Sequence, residues 1–375
     1  MTLPARTGSV HRVHDIVVFG ATGFVGRLVA EYLDKTDADV ALAGRSREKL
    51  SSLGIDRPLI VADAGDPAEL ARSARVVCTT VGPYRKGGLE LVDACVAAGT
   101  AYCDLTGEIL FAHEAVSRHE AARASGARIV LSCGFDSIPS DLGTFLLHEA
   151  AGELADTTFV LKSMRGGASG GTFASMKGQV DEMRSDKAAR KVIFDPHSLG
   201  GKDTTRDDRS VRHDPEHGWT GPFVMATYNT RIVRRSAELL GYGPEFTYRE
   251  VSAYPNRFVA YGFTAGLGAL AAGMAFPPTR WALDRVLPGP GDGPSEKARS
   301  SGHFKVQVHG GGHVATVSAK GDPGYAATAV MMGESALCLA RTEGEGGVLT
   351  PASAMGGALV ERLRAAGMKL TVTSE

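Results

Sequence analysis

A short glycine-rich segment constrains the fold of this chain more than any other feature. It reads Gly20-Ala21-Thr22-Gly23-Phe24-Val25-Gly26, directly follows the apolar residues 16–19 and opens an amphipathic stretch. Between a strand and a helix, the first glycine of such a segment permits a tight turn, the second lets the backbone approach a pyrophosphate, and the third allows close packing of the helix on the strand. We therefore predict a dinucleotide-binding site in this segment; a glycine-rich turn without a ligand is the alternative.

The residues after the second predicted strand indicate which coenzyme binds. NAD-binding proteins place an acidic residue about 20 positions after the glycines, where it contacts the ribose 2′-hydroxyl. This chain has Arg45, Ser46 and Arg47 there. Guanidinium groups pair well with a phosphate, and the Ser46 hydroxyl can add a hydrogen bond, so the sequence favours NADP(H); an exposed arginine pair is the alternative. Asp63, after the third predicted strand, either contacts the adenine or caps the next helix.

Short apolar runs alternate with amphipathic stretches over the first part of the chain. Six runs are predicted to be strands, namely residues 15–20, 40–44, 59–62, 75–81, 100–103 and 128–132. Apolar strands separated by helices are typical of a parallel sheet that is buried on both faces. We therefore predict an α/β fold in which residues 12–150 form an N-terminal Rossmann domain with a doubly wound parallel sheet.

The pattern changes after residue 150. Residues 151–321 are predicted to form an inserted α+β substrate domain with a mixed or antiparallel sheet, whose strands are residues 157–164, 219–233, 246–254, 302–309 and 313–320. The charged residues 185–218 are predicted to be a surface loop, and the prolines and glycines of residues 277–294 a linker. Two helices in the C-terminal segment 322–375, at residues 325–340 and 350–366, are expected to pack back on the Rossmann domain.

Polar loops follow the fourth, fifth and sixth predicted strands. Because the carboxyl ends of parallel strands meet at one edge, where a doubly wound fold binds its ligand, these loops are expected to converge. Val81, Gly82 and Pro83 are predicted to run beside the nicotinamide ring. The same loops supply three candidate catalytic residues, Tyr84, Asp104 and Asp136. Capping of the next helix is the alternative for Asp136, and equally for Ser137 and Asp141.

The composition indicates which partners the protein binds and in which cellular compartment it lies. Lysine plus arginine number 41 against 42 aspartate plus glutamate, so no overall charge draws the chain to nucleic acid. The five cysteines lack metal-ligand spacing and are predicted to be reduced core residues, and no zinc-binding cluster is visible, so no metal is expected. The first fourteen residues contain no apolar run like that of a signal peptide, so a cytoplasmic location is expected.

Residues 258–279 form a stretch without a charged side chain. About 20 apolar residues suffice to span a bilayer, but this stretch is rich in glycine and alanine and ends in two prolines. Two interpretations stay open. The stretch is buried inside the protein or in a homodimer contact, or it contacts a membrane, which would place the protein at the periphery of the plasma membrane.

Taken together, these motifs resemble those of the saccharopine dehydrogenase-like oxidoreductases, and within them the branch of the trans-acting enoyl reductases. The resemblance covers nearly the whole chain. Beyond GATGFVG it includes VGPY (81–84), YCDLTGE (102–108), GFDSIPSDLG (134–143), SGGT (169–172), VRRSAELLGYG (233–243), GDPGY (321–325) and GGVLTPASAMG (346–356). It implies a Rossmann domain, an inserted α/β substrate domain, use of NADPH and, in some members, association with membranes or lipid bodies.

The resemblance leaves three functions open. The first is reduction of a carbon–carbon double bond on a lipid or polyketide intermediate, with an acyl carrier domain as a partner; the apolar residues 258–279 favour it. The second is a saccharopine-type dehydrogenase acting on an imine-linked amino acid, and the third is an NADP-binding redox sensor. For enoyl reduction, Tyr84 is the first candidate proton donor, and Arg234 and Arg235 either bind a phosphopantetheine phosphate or form a solvated basic face.

Overall fold

The computed structural model describes residues 12–63, 67–166, 170–201, 210–286 and 293–375. Its strands are β1 (His14–Phe19), β2 (Val40–Gly44), β3 (Leu59–Val61), β4 (Ala74–Thr79), β5 (Ala101–Cys103), β6 (Arg128–Val130), β7 (Asp156–Arg165), β8 (Arg212–Asp214), β9 (Gly218–Pro222), β10 (Thr247–Tyr254), β11 (His303–Gly310), β12 (His313–Lys320), β13 (Gly347–Leu349) and β14 (Lys369–Ser374). Its helices are α1 (Phe24–Leu33), α2 (Arg47–Ser51), α3 (Pro67–Ser73), α4 (Gly88–Ala98), α5 (Ile109–Val116), α6 (His119–Ser125), α7 (Ile138–Ala151), α8 (Gly170–Ser185), α9 (Lys187–Phe194), α10 (Ala226–Leu240), α11 (Arg257–Ala275), α12 (Pro277–Val286), α13 (Glu296–Ser300), α14 (Thr328–Arg341) and α15 (Pro351–Ala365), and a π-helical turn spans Pro323–Ala327.

The first sheet is a seven-stranded parallel sheet in the order β3-β2-β1-β4-β5-β6-β13. Its central strands are buried along almost their whole length, because helices cover both faces. The strand order reverses between β1 and β4, which is the point where a doubly wound sheet binds its ligand. The predicted Rossmann fold is therefore confirmed.

The second sheet has the order β14-β12-β11-β7-β10-β9-β8 and is mixed, because β7 and β10 run parallel while the other pairs are antiparallel. The strand predicted over residues 219–233 is confirmed as far as Pro222, where β9 ends, and wrong beyond it, because α10 begins at Ala226. The β-branched residues of α10 are buried by their tertiary contacts, and this burial outweighs their preference for strands.

The C-terminal segment returns to the first sheet, as predicted. Helix α14 packs on α1, where a side chain at Gly333 would approach the ring of Tyr32 to 2.5 Å, and the Tyr32 hydroxyl donates to Glu334 Oε1 at 2.5 Å. Two strands of this segment were missed: β13 extends the parallel sheet beside β6, and β14 extends the mixed sheet beside β12. The segment after the boundary predicted at residue 322 therefore contributes a strand to each of the two sheets.

Two predicted irregular segments contain regular structure. Within the predicted loop 185–218 lie α9 and β8, and His217 is buried; residues 202–209 lie outside the described part. The prolines Pro277 and Pro278 begin α12, so the predicted linker was wrong up to Val286, and residues 287–292 lie outside the described part. Residues 1–11, and residue 169 of the SGGT motif, also lie outside it.

Helix α11 carries most of the uncharged stretch and is largely exposed. It is long and apolar enough to cross a membrane, and only 11% of its most apolar window is buried inside the protein. Phe258 is 74% exposed, and Trp281 on the adjoining α12 is 63% exposed. The interpretation that this stretch is buried inside the chain is therefore wrong. By contrast, all five cysteines are buried and unpaired, as predicted.

Candidate functional site

A cavity of about 840 Å³ opens at the carboxyl edge of the parallel sheet. One side is formed by the loops that follow the first six strands, and the other by the end of β7, α8, the segment between β9 and α10 with the first turn of α10, the π-helical turn and the start of α14. The lining residues from the second side are Met164, Ser175, Met176, Gln179, Phe223, Val224, Met225, Thr227, Tyr228, Pro323, Gly324, Tyr325 and Thr328. Both halves of the fold thus contribute to one site.

The glycine-rich turn has the shape that a pyrophosphate requires. Gly20 has φ +90°, and a Cβ there would lie 2.8 Å from Val81 Cγ2. A Cβ at Gly26 would lie 2.0 Å from the Gly20 carbonyl oxygen, so only glycine lets α1 begin this close to β1. Gly23 is the N-cap of α1 and has no side chain over the helix N-terminus. The turn therefore fits a dinucleotide phosphate, which the helix dipole and free N–H groups would bind.

Of the other residues of the glycine-rich turn, some line the cavity and one lies beneath the turn. Thr22, Phe24 and Val25 line the cavity together with the glycines. Phe24 packs edge-on against Tyr325 of the π-helical turn, with 5.0 Å between ring centroids. Ala21, which the sequence also placed in the binding segment, is fully buried beneath the turn.

At the end of β2, Arg45 lies in the cavity wall and is exposed. Within the described residues it forms no hydrogen bond or ion pair, so its guanidinium is available for a 2′-phosphate. The Ser46 hydroxyl accepts the Lys49 N–H at 3.3 Å and caps α2, and its contact with the coenzyme stays a prediction. Asp63 lines the same end of the cavity, and its contact with the adenine stays a prediction.

The loop after β4 closes over the glycine-rich turn. Val81, Gly82 and Pro83 line the cavity, and the Thr80 hydroxyl donates to the Gly20 carbonyl at 3.3 Å. Their position beside the nicotinamide ring stays a prediction, and the contact with Gly20 supports it.

Tyr84 lines the cavity, but its hydroxyl is already committed. It donates to the Thr79 carbonyl at 3.3 Å and accepts the Leu105 N–H at 3.1 Å, and burial raises its pKa well above the usual value. The proton therefore faces the backbone instead of the cavity. Tyr84 joins the loops after β4 and β5, and the structure gives no support to its predicted role as the proton donor.

Glu108, which the sequence analysis did not select, holds the same loop. Its carboxylate accepts the backbone N–H groups of Tyr84 at 3.0 Å and Arg85 at 2.9 Å, and the Ser175 hydroxyl of α8 at 3.0 Å. One buried carboxylate therefore links the Rossmann loop to the second half of the fold. The sequence around YCDLTGE gave no local indication of this role.

Asp104 lies behind the cavity wall and is not part of its lining. Its carboxylate accepts the N–H groups of Ser132 at 2.8 Å and Thr106 at 3.1 Å, and the Tyr102 hydroxyl at 2.9 Å. Burial raises the pKa of this carboxyl to about 7, although the three hydrogen bonds act to lower it. Asp104 therefore positions the loops after β5 and β6. It does not contact the cavity, so the structure gives no support to its predicted catalytic role.

Asp136 does line the cavity, as expected of a catalytic candidate. Burial raises the pKa of its carboxyl to about 6. Within the described residues its carboxylate forms no hydrogen bond, so this group can gain and lose a proton close to neutral pH. The capping alternative is not supported for Asp136, because the N-cap residue of α7 is Ser137. Asp141 is buried, and its carboxylate accepts the Ala352 N–H at 2.8 Å at the start of α15.

Tyr228 is the functional candidate that the sequence analysis missed. It lies on α10, lines the cavity and places its hydroxyl 2.6 Å from Ser132 Oγ, which donates to the Thr106 carbonyl at 2.8 Å. Ser132 has φ +65°, a conformation that a serine rarely adopts. Reading residues 226–240 with helical spacing would have put Tyr228, Ile232 and Arg235 on one face and exposed this candidate.

Arg234 and Arg235 lie on α10 but are buried, at 1% and 5% exposure. Arg234 donates to the Tyr248 carbonyl at 3.3 Å, and Arg235 donates to the carbonyls of Leu199 at 3.0 Å and Val348. Both alternatives weighed from the sequence, a phosphate contact and a solvated basic face, are therefore wrong. These guanidinium groups hold α10 against surrounding loops.

Comparisons with known proteins agree with this architecture. Residues 16–130 match the family model described as saccharopine dehydrogenase NADP binding domain. The chain is 43% identical over 412 aligned positions to a provisionally named trans-acting enoyl reductase of Mycobacterium tuberculosis, covering 96% of this chain and 98% of the relative. It is 42% identical to the trans-acting enoyl reductase of Mycobacterium ulcerans, covering 97% and 99%. That of Mycobacterium bovis BCG is 39% identical, covering 96% and 98%.

Among solved structures, GenD2 from gentamicin A biosynthesis, in complex with NAD, aligns with 100% of this chain and 99% of its own at 13% identity. The TM-score of 0.40 is too low to support an argument. The full-length relatives and the matched NADP-binding domain do support one. The protein is an NAD(P)H-dependent oxidoreductase that binds NADP(H), and it belongs to the saccharopine dehydrogenase-like family and, within it, to the trans-acting enoyl reductases.

Proposed function

We propose that this protein reduces the carbon–carbon double bond of an enoyl thioester on a lipid or polyketide chain, delivered by an acyl carrier domain. The observation that carries the proposal is the continuity of the cavity: it runs from the glycine-rich turn to a wall of Phe135, Met164, Met176, Phe223 and Met225. Apolar and flexible side chains of this kind suit a hydrocarbon chain. Met164 and Val224 are also 41% and 40% exposed, so the apolar wall reaches the surface, where a carrier-bound chain would enter.

The charges of the cavity disfavour an amino-acid conjugate. Its described lining holds four charged residues: Arg45 and Asp63 at the end predicted for the adenosine, and Lys86 and Asp136. A saccharopine-type substrate carries several carboxylates, and these call for arginine or lysine partners in a desolvated site. One exposed lysine does not meet that need, whereas an enoyl thioester has no charge near its reacting carbons.

When bound, NADPH supplies the hydride for the β carbon. The protein must then stabilise negative charge on the thioester oxygen and deliver a proton to the α carbon. Tyr228 offers its hydroxyl at the cavity wall for the oxygen, its proton turning from Ser132 Oγ to the substrate, and Asp136 offers a carboxyl whose pKa of about 6 suits proton donation. Lys86, exposed at the cavity, suits the phosphate of a phosphopantetheine arm.

The proposal is tested by following NADPH absorbance with two substrates, an enoyl group on an acyl carrier domain, and lysine plus 2-oxoglutarate. We expect consumption with the first alone. Consumption with the second alone would identify a saccharopine-type dehydrogenase. Tight NADPH binding with neither reaction would favour the redox sensor.

The exposed surface of α11 and α12 suits contact with a membrane on the cytoplasmic side, which would bring the enzyme to lipid-linked substrates. Beside Phe258 and Trp281, it presents Tyr261, Phe263 and Phe276 at 48 to 59% exposure. The Arg285 guanidinium lies 3.3 Å from the Trp281 ring centroid, and paired aromatic and basic side chains are typical of the lipid–water interface. The surface is apolar more than basic, so binding should not require anionic lipid.

Flotation with neutral phosphatidylcholine vesicles tests this contact. We expect the wild type to float, and a Phe258→Ser, Trp281→Ser double variant to remain at the bottom. Phe194→Ser on α9, where the ring is 59% exposed but outside this surface, is the matched control and should float. A dimer in light scattering that dissociates in the double variant, without flotation of the wild type, would show that a second copy covers the surface.

A further inference from the structure

A cluster of metal-binding side chains lies outside the cavity, on the face of the mixed sheet opposite α7. Glu216, His217 and His309 each present a ligand atom, and these atoms lie within 4.8 Å of one another. We refer to these three residues as the outer-face cluster. None of them lines the cavity described above.

The turn between β8 and β9 carries two members of the cluster. Asp214 fixes this turn, because its Oδ1 accepts the N–H of Glu216 at 3.0 Å and that of His217 at 3.1 Å. Its Oδ2 accepts from Arg249 of β10 at 3.2 Å, which anchors the turn on the sheet. The His217 side chain is thereby only 4% exposed. The sequence gives no local signal for this burial.

His309 comes from β11, where Phe304, Val306 and Val308 point inward and His309 points to the opposite face. Its Nδ1 lies 3.2 Å from Glu216 Oε1 and 2.9 Å from Glu375 Oε1. Its Nε2 is buried without a hydrogen-bond partner among the described residues. The two imidazole rings have centroids 4.4 Å apart. Two imidazoles and two carboxylates therefore meet in a partly buried site.

We propose that the outer-face cluster binds a divalent transition-metal ion, zinc in particular, with Glu375 as a fourth ligand. Zinc favours four ligands of nitrogen, sulfur or oxygen in a tetrahedron, at about 2.0 to 2.2 Å for imidazole and carboxylate. Ligand atoms on such a tetrahedron are about 3.3 Å apart. The contacts of 2.9 and 3.2 Å at His309 Nδ1 are close to this spacing, and the 3.9 Å contact between Glu216 and His217 Nε2 would have to shorten on metal binding.

The bound ion would have a structural role. It would join the β8–β9 turn to β11 and to the residue after β14, at opposite parts of the mixed sheet. Because folding creates the site, binding would stabilise the folded chain. No metal was expected from the sequence because these ligands come from distant parts of the chain and meet only through the fold.

Titration of the metal-stripped full-length protein with Zn²⁺, followed by calorimetry, tests the proposal. We expect one ion per chain, a melting temperature raised by at least about 4 °C in saturating zinc, and binding weakened more than about 100-fold in His309→Gln and in His217→Gln. His303→Gln, the same change at an exposed position of β11, is the matched control and should bind like the wild type.

Two results would overturn the proposal. One is the absence of stoichiometric binding to the wild type. The other is binding that the His217 and His309 variants leave unchanged. Should these variants fold poorly, Co²⁺ added to the wild type decides: intense visible bands typical of tetrahedral coordination support the site, and the weak spectrum of hydrated Co²⁺ contradicts it.

Discussion

The Tyr228 hydroxyl lies 2.6 Å from Ser132 Oγ, and this pair faces the cavity from two different halves of the fold. Ser132 already donates to the Thr106 carbonyl, so the proton between the two hydroxyls belongs to Tyr228. The Tyr228 proton is thus bound by a neighbouring side chain of the cavity wall, and rotation of the phenol O–H would turn it from Ser132 Oγ to a substrate oxygen. Tyr84, close by in the same cavity, instead directs its hydroxyl to the backbone.

These two tyrosines give the first prediction. Tyr228→Phe removes a hydrogen bond to the developing negative charge, so kcat should fall by about 100-fold while the Kd for NADPH is unchanged. Tyr84→Phe is the matched control, and it should lower kcat by less than about threefold. Steady-state kinetics with a carrier-bound enoyl substrate measure both. The reverse order of effects would restore Tyr84 as the donor.

The second prediction concerns the pH dependence set by Asp136. A proton donor must be protonated, and the pKa of this carboxyl is about 6. The value of kcat/KM should therefore be constant below about pH 6 and fall about tenfold per pH unit above it. Asp136→Asn should lower kcat by about 100-fold and abolish this slope. A wild-type profile that is flat from pH 5 to 8 would exclude Asp136 as the acid.

The same pKa makes a third prediction, on stability. Burial raises the pKa of Asp136 from 3.8 to about 6, so folding favours the protonated form. This carboxyl alone should cost the wild type up to about 3 kcal/mol of unfolding free energy as the pH rises from below 4 to above 6, in addition to the losses from Asp104 and Asp141, whose pKa values burial also raises. Asp136→Asn avoids this loss and should melt at a higher temperature than the wild type at pH 8. Calorimetric scans at pH 5 and pH 8 compare them; an Asn variant that is less stable at both would contradict the assignment.

Much of the fold could be predicted from the sequence, because its signals are local. The glycines at 20, 23 and 26 and the apolar strands beside them define the Rossmann half. Residues 226–233 were misread because β-branched residues of a buried helix resemble those of a strand. The three residues of β13 become a strand only beside β6, and Arg234 is buried because distant carbonyls accept its hydrogen bonds. Such features depend on partners far away in the sequence.

Lys86 gives a fourth prediction, on the carrier. If its ammonium group pairs with the phosphopantetheine phosphate, Lys86→Gln should raise KM about tenfold for the carrier-bound enoyl substrate. The KM for an N-acetylcysteamine thioester of the same acyl group, which has no phosphate, should be unchanged. The Kd for NADPH is the control, since a rise there would show that Lys86 binds the coenzyme instead.

Arg45 gives the fifth prediction, on coenzyme choice. Arg45→Asp replaces a phosphate-binding charge by a repelling one, so the Kd for NADPH should rise by at least about tenfold while that for NADH rises little. Arg123→Asp, on the exposed surface of α6, is the matched control. Calorimetry measures both. An unchanged preference for NADPH in the Arg45 variant would remove this residue from the site.

The central proposal is that a hydride passes, within this cavity, from NADPH to the β carbon of an enoyl thioester. Its most direct test uses NADPH with deuterium at both C4 positions of the nicotinamide and a carrier-bound enoyl substrate, with mass spectrometry of the released acyl chain. The account predicts a saturated chain with one deuterium on the β carbon. An unreduced chain, or a saturated chain without deuterium on that carbon, would contradict it.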